Sequence, residues 1–88
     1  MGYAEGTKRK FLRRGLEGQA TTFLLKLPPG FAMGSHSHVT VEHHYVLEGE
    51  YEAGGQCFPV GTYRLIPKEA QHGPFYSTTG AVVLVICE

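Results

Sequence analysis

Four of the five histidines of this chain lie within residues 36–44, together with Glu42. Side chains at alternate positions of an extended chain point the same way, so His36 and His38 are predicted to project from one face. Glu42, four residues further on, has the same parity. Two imidazoles and one carboxylate on a common face form a three-donor fragment of a site for a divalent metal ion.

A polar strand surface is the alternative explanation for these three residues. Apolar residues of the same region, Phe31, Met33 and Val46, bracket the set and are expected to face a core. A buried Glu42 beside two imidazoles would be costly unless a cation compensated its charge. The pattern therefore favours a metal ion over a solvated surface.

His44 shares the parity of Glu42 and is predicted to face the same interior, where it would orient a substrate or move protons near neutral pH. A packed histidine hydrogen-bonded to the backbone is the alternative. His43 points the other way, toward solvent or a subunit contact. Four further residues are predicted to line the mouth of the pocket, with simple packing as their alternative role: Tyr63, Arg64, Phe75 and Tyr76.

Short strands are the elements that must position these side chains. Apolar residues alternate with polar ones, or run continuously between Gly and Pro, in the segments 20–27, 39–52, 56–58, 61–66, 71–77 and 81–87. Gly54 and Gly55 predict a hairpin turn, and the apolar run 81–87 predicts a strand covered on both faces. Sustained helical spacing is absent, so the fold class is all-β, a sandwich or barrel.

The length of 88 residues fits one domain, residues 1–88, with 1–7 frayed and a barrel core at about 20–87. The basic segment 8–14 is interpreted as a solvated edge strand. Net charge is zero, which argues against a nucleic-acid partner. So small a barrel is expected to leave apolar surface uncovered, and this predicts a homodimer.

The longest apolar run, 81–87, is far shorter than the ~20 residues that span a bilayer, and the first residues lack an apolar signal-peptide core. No membrane association is predicted. Cys57 and Cys87 are too few for a disulfide scaffold and are interpreted as reduced thiols. Together these features predict a soluble, cytoplasmic protein.

The spacing of these residues resembles the two sequence motifs of the cupin superfamily (RmlC-like). The first motif corresponds to Gly30, His36, His38, Glu42 and Gly49, and the second to Gly61, Pro67 and His72. The resemblance covers about residues 24–88. Two positions depart from the pattern: Glu69 stands where the family usually has Gly, and Tyr76 where it often has Asn.

The segments 27–30, 45–50 and 72–74 further resemble the ChrR-type branch of cupins, which includes the sensor domain of zinc-binding anti-sigma factors, small stand-alone proteins and some dioxygenases. The resemblance implies a single-domain double-stranded β-helix, or jelly-roll barrel, of two antiparallel sheets. It also implies that His36, His38, Glu42 and His72 are the metal ligands.

Three imidazoles and one carboxylate leave two positions open on an octahedral ion, which favours Fe²⁺ or Mn²⁺ and also accommodates Zn²⁺, Ni²⁺ or Co²⁺. Two functions are compatible with such a site. One is a small-molecule enzyme of dioxygenase, isomerase or decarboxylase type, and the other is a non-catalytic metal-binding sensor or ligand-binding domain. The sequence leaves the substrate, the reaction and the physiological ion open.

Overall fold

The computed structural model describes residues 5–35, 37, 39–71 and 73–88 of the chain. These residues form eight strands: β1 (Lys8–Arg13), β2 (Thr21–Leu27), β3 (Phe31–Met33), β4 (Glu42–Ala53), β5 (Gln56–Pro59), β6 (Tyr63–Ile66), β7 (Phe75–Ser77) and β8 (Ala81–Cys87). The predicted all-β class is confirmed. Within the described residues, no helix has the length and apolarity that crossing a membrane requires.

Strand β4 connects two antiparallel sheets. Its first half lies between β8 and β6, and the first sheet has the order β1-β2-β8-β4-β6. Its second half pairs with β5 and β7, and β3 completes the second sheet. One long strand thereby curls the two sheets around a shared interior, which is where an enclosed site can form.

A bulge in β4 marks the change from one sheet to the other. The register with β8 shifts between Val46 and Glu48, which inserts one extra residue. Gly49 follows with φ +69°, and a Cβ there would lie 2.2 Å from the backbone oxygen of Gly80. Only glycine fits this close crossing of two strands, and the bulge bends β4 there.

The hydrophobic core fills the space between the two inner faces. Its most buried members are Val46, Val83 and Val85, on β4 and β8. Alternate residues of β8, including Leu84, are only half-buried on the outer face. Within the described part of a single chain the outer face of β8 is only half covered, and its predicted cover on both faces stays a prediction.

The basic segment at the start of the chain forms the predicted edge strand. Strand β1 pairs only with β2, and all its residues are exposed except Phe11, which is half-buried. Phe11 contacts the ring of Phe23 with centroids 5.5 Å apart, and the guanidinium of Arg14 lies 3.7 Å from the centroid of Phe11. Exposed cations on an edge strand discourage further strand pairing.

The second predicted strand begins later than the sequence pattern indicates. Strand β4 starts at Glu42, whereas Val39 and Thr40 lie in a bend, with Val39 81% exposed. The strand predicted for residues 39–52 therefore lacks positions 39–41 at its start. His36 and His38 lie outside the residues that the structure describes.

Glu69 occupies a left-handed conformation with φ +62°, at the position where the resembling family usually has Gly. A side chain costs about 1 kcal/mol in this region, which is partly offset because Gly gains entropy in the unfolded chain. We expect Glu69→Gly to raise the free energy of unfolding by about 0.5 kcal/mol in urea denaturation. Glu69→Ala is the matched control and should gain nothing from the backbone, since it keeps a Cβ. Equal stabilisation by both variants would contradict the explanation.

Candidate metal centre

Glu42 is the one predicted metal ligand among the described residues. It opens β4, with Ile66 of β6 and Cys87 of β8 as its register partners. Its side chain points inward and the residue is 6% exposed. The remaining predicted ligands, His36, His38 and His72, lie outside the described residues. An inward-pointing carboxylate at this place fits the donor set that the cupin resemblance implies for a divalent ion.

His44 lies on the same inner face as Glu42, two residues further along β4, and is 6% exposed. Its Nε2 is 2.6 Å from Oε1 of Glu42, and its Nδ1 is 2.8 Å from the hydroxyl of Tyr51. The sequence predicted an inward-facing His44 with a proton-transfer role. Because both ring nitrogens are engaged by protein side chains, this geometry favours a role in holding Glu42; the predicted catalytic role stays a prediction.

The groups at the two ends of the chain through His44 constrain the direction of its hydrogen bonds, because one end only donates and the other only accepts. Arg64 can only donate, and its Nη1 is 3.1 Å from the hydroxyl oxygen of Tyr51. An ionised Glu42 carboxylate can only accept, so Nε2 of His44 donates to it; in the neutral ring, Nδ1 then accepts the proton of the Tyr51 hydroxyl. The chain Arg64–Tyr51–His44–Glu42 therefore leaves the Glu42 carboxylate as the terminal acceptor, oriented by a neighbour as metal-binding carboxylates are.

Burial keeps the phenol of Tyr51 protonated. Tyr51 is 3% exposed, and loss of solvation raises its pKa above the usual value, although the hydrogen bond and charge of Arg64 act in the opposite direction. The ring stacks on Phe75, with centroids 5.9 Å apart, and contacts Phe58. The proton that Tyr51 donates to His44 is consequently held at neutral pH.

Cys87 of β8 lies opposite Glu42 on the strand pair β4–β8. Burial first, and then the charge of Glu42 and a hydrogen bond to that carboxylate, together raise the pKa of the Cys87 thiol to about 11. The thiol therefore remains protonated near neutral pH and donates to Glu42. This chemistry differs from that of a reactive or metal-binding cysteine, which requires a thiolate.

The residues predicted to line the pocket mouth divide between the two sides of the sheets. Arg64 faces inward opposite His44, and Phe75 is buried in the core, 4% exposed. Tyr63 and Tyr76 lie on the outer faces and are 57% and 48% exposed. The structure thus corrects the placement of these two tyrosines, because strand alternation directs them away from the interior when Arg64 and Phe75 point into it.

His43 lies on the outer side, as its parity predicts. Its Nδ1 is 2.5 Å from the hydroxyl of Tyr63, and its Nε2 pairs with the carboxylate of Glu88. Both contacts are at the surface. His43 is therefore separated by the sheet from Glu42 and His44.

Sequence reasoning missed Tyr51 and the contact between Cys87 and Glu42. Tyr51 is seven residues from His44, so unbroken alternation would place it on the opposite face. The bulge between Val46 and Glu48 reverses the parity and brings Tyr51 inside. Gly49, which the sequence did show, is the signal that could have indicated the interruption.

No set of three His, Cys, Asp or Glu side chains among residues 5–35, 37, 39–71 and 73–88 is arranged to hold a metal ion. This result leaves the predicted site untested, since only Glu42 of its four residues belongs to those ranges.

Solved structures with the same fold include three informative relatives. A chain in the crystal structure of Rhodobacter sphaeroides SigE in complex with the anti-sigma ChrR superposes with a TM-score of 0.79 at 24% identity, over 97% of this chain and 46% of that one. An RmlC-like cupin from Shewanella frigidimarina superposes with a TM-score of 0.82 at 23% identity, over 96% of this chain and 77% of the cupin. An acetylacetone dioxygenase from Acinetobacter johnsonii superposes with a TM-score of 0.82 at 18% identity, over 93% of this chain and 59% of the dioxygenase.

This chain thus spans about half the length of the chain matched in the SigE–ChrR complex. These structural likenesses show the cupin fold. No curated protein sequence matches the chain. The sequence pattern that describes the ChrR Cupin-like domain family matches this chain over residues 1–88. The resemblance found in the two sequence motifs is confirmed, and the chain belongs to the ChrR Cupin-like domain family.

Proposed function

We propose that His36, His38, Glu42 and His72 bind one divalent metal ion inside the barrel. The observation that carries this proposal is Glu42, a carboxylate withdrawn from water on the inner face and oriented by the directed hydrogen bond from His44. Imidazole and carboxylate donors in this ratio suit Fe²⁺ or Mn²⁺, and Zn²⁺, Ni²⁺ or Co²⁺ also bind such sets.

We further propose that the metal-loaded protein is a small-molecule enzyme of dioxygenase or isomerase type. A bound ion would supply Lewis acidity and, if it is iron, redox chemistry. The residues of this chain would contribute orientation: His44 holds the Glu42 carboxylate, and Tyr51 holds the ring of His44. The shared fold with an acetylacetone dioxygenase supports a substrate that chelates through two oxygens.

Oxygen consumption tests this proposal. Metal-free protein would be loaded with Fe²⁺ under nitrogen, and O₂ uptake followed with acetylacetone and with catechol. We expect uptake that requires both iron and one of these compounds, and the zinc-loaded protein is the control. Tight metal binding without uptake for any chelating compound would contradict the enzymatic proposal and leave the metal site intact.

A zinc-binding sensor domain is the second candidate. Its support is the match of residues 1–88 to the ChrR Cupin-like domain family and the likeness to a chain of the SigE–ChrR complex. Substitution with Co²⁺ separates the two candidates. Intense visible absorption of a four-coordinate ion, unchanged by added chelating ligands, favours a closed sensor site, whereas weak bands that shift on adding acetylacetone favour an open, enzymatic site.

We also propose a homodimer built on the outer face of the first sheet. One row of aligned residues crosses this face, from Leu24 through Leu84 and Tyr45 to Tyr63. Tyr45 and Tyr63 are 42% and 57% exposed, and Leu65 beside them is 54% exposed. An apolar face of this kind on so small a chain is typical of a self-complementary contact across a two-fold axis.

Leu84→Glu is expected to convert the dimer to a monomer, because it places a charge at the centre of the outer face. Light scattering coupled to size-exclusion chromatography at micromolar concentration measures the mass. Leu16→Glu is the matched control, since Leu16 is 73% exposed in a loop away from the strands. A wild-type protein that elutes as a monomer would rule out the dimer.

A further inference from the structure

Arg64 is a cation on the inner face, and its contacts among the described residues are with the neutral side chains of Tyr51 and Phe58. It pairs in register with His44 across β4 and β6, and its side chain is half-buried. One guanidinium nitrogen donates to Tyr51, and the group lies 4.2 Å from the ring centroid of Phe58. Within the part of the chain that the structure describes, no carboxylate forms an ion pair with it.

A guanidinium in this setting favours an anionic ligand. It has five N–H donors, of which the Tyr51 contact uses one. Aromatic packing removes water from the faces of the group but does not neutralise its charge. The planar, forked donors match a carboxylate in a two-point hydrogen bond, and such charge-assisted bonds are stronger when water is partly excluded.

The position of Arg64 relative to Glu42 limits the size of that ligand. His44 lies about 5 Å across the strand pair from Arg64, and Glu42 lies about 7 Å further along β4. A ligand that contacts both ends of this inner face is a small organic molecule. A polymer or peptide would have to extend out of the barrel.

We propose that Arg64 binds the carboxylate of a small organic acid whose other end chelates the metal held near Glu42. This inference rests on the metal site proposed above and specifies its substrate class, an oxo or enol acid. The alternative is that Arg64 is purely structural, holding Tyr51 and packing on Phe58. A structural role predicts equal effects on charged and neutral ligands.

A matched pair of probes separates these roles. Acetopyruvate and acetylacetone share a β-diketone that chelates metal, and only acetopyruvate carries a carboxylate. Titration calorimetry on the metal-loaded protein is expected to give about tenfold to hundredfold tighter binding of acetopyruvate, the range for hydrogen bonds to a charged group. Arg64→Gln should reduce this preference to less than about threefold, and because both affinities are measured on the same metal-loaded variant, any change at Glu42 cancels in their ratio.

Arg64→Lys keeps the charge but loses the forked geometry, so it should retain part of the preference for acetopyruvate. This variant also serves if Arg64→Gln does not fold. The inference would be overturned if Arg64→Gln bound acetylacetone and kept the wild-type preference for acetopyruvate. Where only Arg64→Lys folds, an undiminished preference in that variant would overturn it. Either result would leave the proposed metal site intact.

Failure of the metal site has a different signature. Metal analysis would then find no bound ion, and acetylacetone would not bind the wild-type protein. In that case acetopyruvate would be titrated into metal-free wild type and Arg64→Gln. Binding that depends on Arg64 would support the anion site on its own, and binding that is absent or independent of Arg64 would overturn it.

Discussion

Replacing His38 by alanine is expected to remove the metal ion and to lower the melting temperature in the same variant. Metal bound only by the folded state contributes about 4 kcal/mol when free metal exceeds the dissociation constant about a thousandfold. For a chain of this size, that loss corresponds to a decrease in Tm on the order of 15 °C or more. Mass spectrometry of metal content and differential scanning calorimetry measure the two effects.

His43→Ala is the matched control for this experiment. His43 is adjacent in sequence to Glu42, but its contacts with Tyr63 and Glu88 are on the outer face. Exposed pairs contribute about 0–1 kcal/mol, so Tm should change by a few degrees at most and metal content should stay the same. Full metal occupancy in His38→Ala, or loss of metal in His43→Ala, would contradict the ligand assignment.

Glu42→Gln is expected to destabilise the metal-loaded protein and not the metal-free protein. In the metal-loaded protein the variant loses a charged ligand, and we expect affinity to fall about hundredfold or more, which removes about 2.7 kcal/mol of metal-linked stability. In the presence of chelator at pH 8, where imidazoles are ordinarily neutral, stability should be unchanged or higher by about 1 kcal/mol. An amide oxygen still accepts the proton of His44 and carries no buried charge.

Urea denaturation of both proteins, with saturating Mn²⁺ and with chelator, measures these four stabilities. Destabilisation that is confined to the metal-loaded protein is the diagnostic result. If Glu42→Gln destabilised the chelator-treated protein as much as the metal-loaded one, Glu42 would be a structural residue of the His44–Tyr51 network and the metal centre would lie elsewhere.

The strand segments were predictable because burial on one face imposes a two-residue period. The β2 prediction of 20–27 became Thr21–Leu27, and the run 81–87 became β8 as written. The hairpin at Gly54 and Gly55 joins β4 and β5, because both glycines have positive φ angles that this turn requires. Strand segments and tight turns of this kind depend on residues that are close together in sequence.

At residues 39–41 and at the bulge in β4, the two-residue period of the sequence does not predict the structure. Val39 continues the apolar alternation yet is exposed in a bend, so a periodic pattern alone did not determine the strand start. The extra residue between Val46 and Glu48 reverses the parity of everything that follows in β4. Its cause is the crossing of β4 over Gly80, which is a contact between distant parts of the chain.

The sequence by itself determined the fold class, the family motifs and the inward direction of Glu42, since residue type and spacing specify these locally. Only the tertiary structure decided that Tyr51 reaches His44, that Arg64 reaches Tyr51, and that Cys87 reaches Glu42. Arg64 and Cys87 belong to strands other than β4, and Tyr51 faces His44 only because the bulge reverses the parity of β4. The hydrogen-bond direction around the candidate metal centre is therefore a property of the folded barrel.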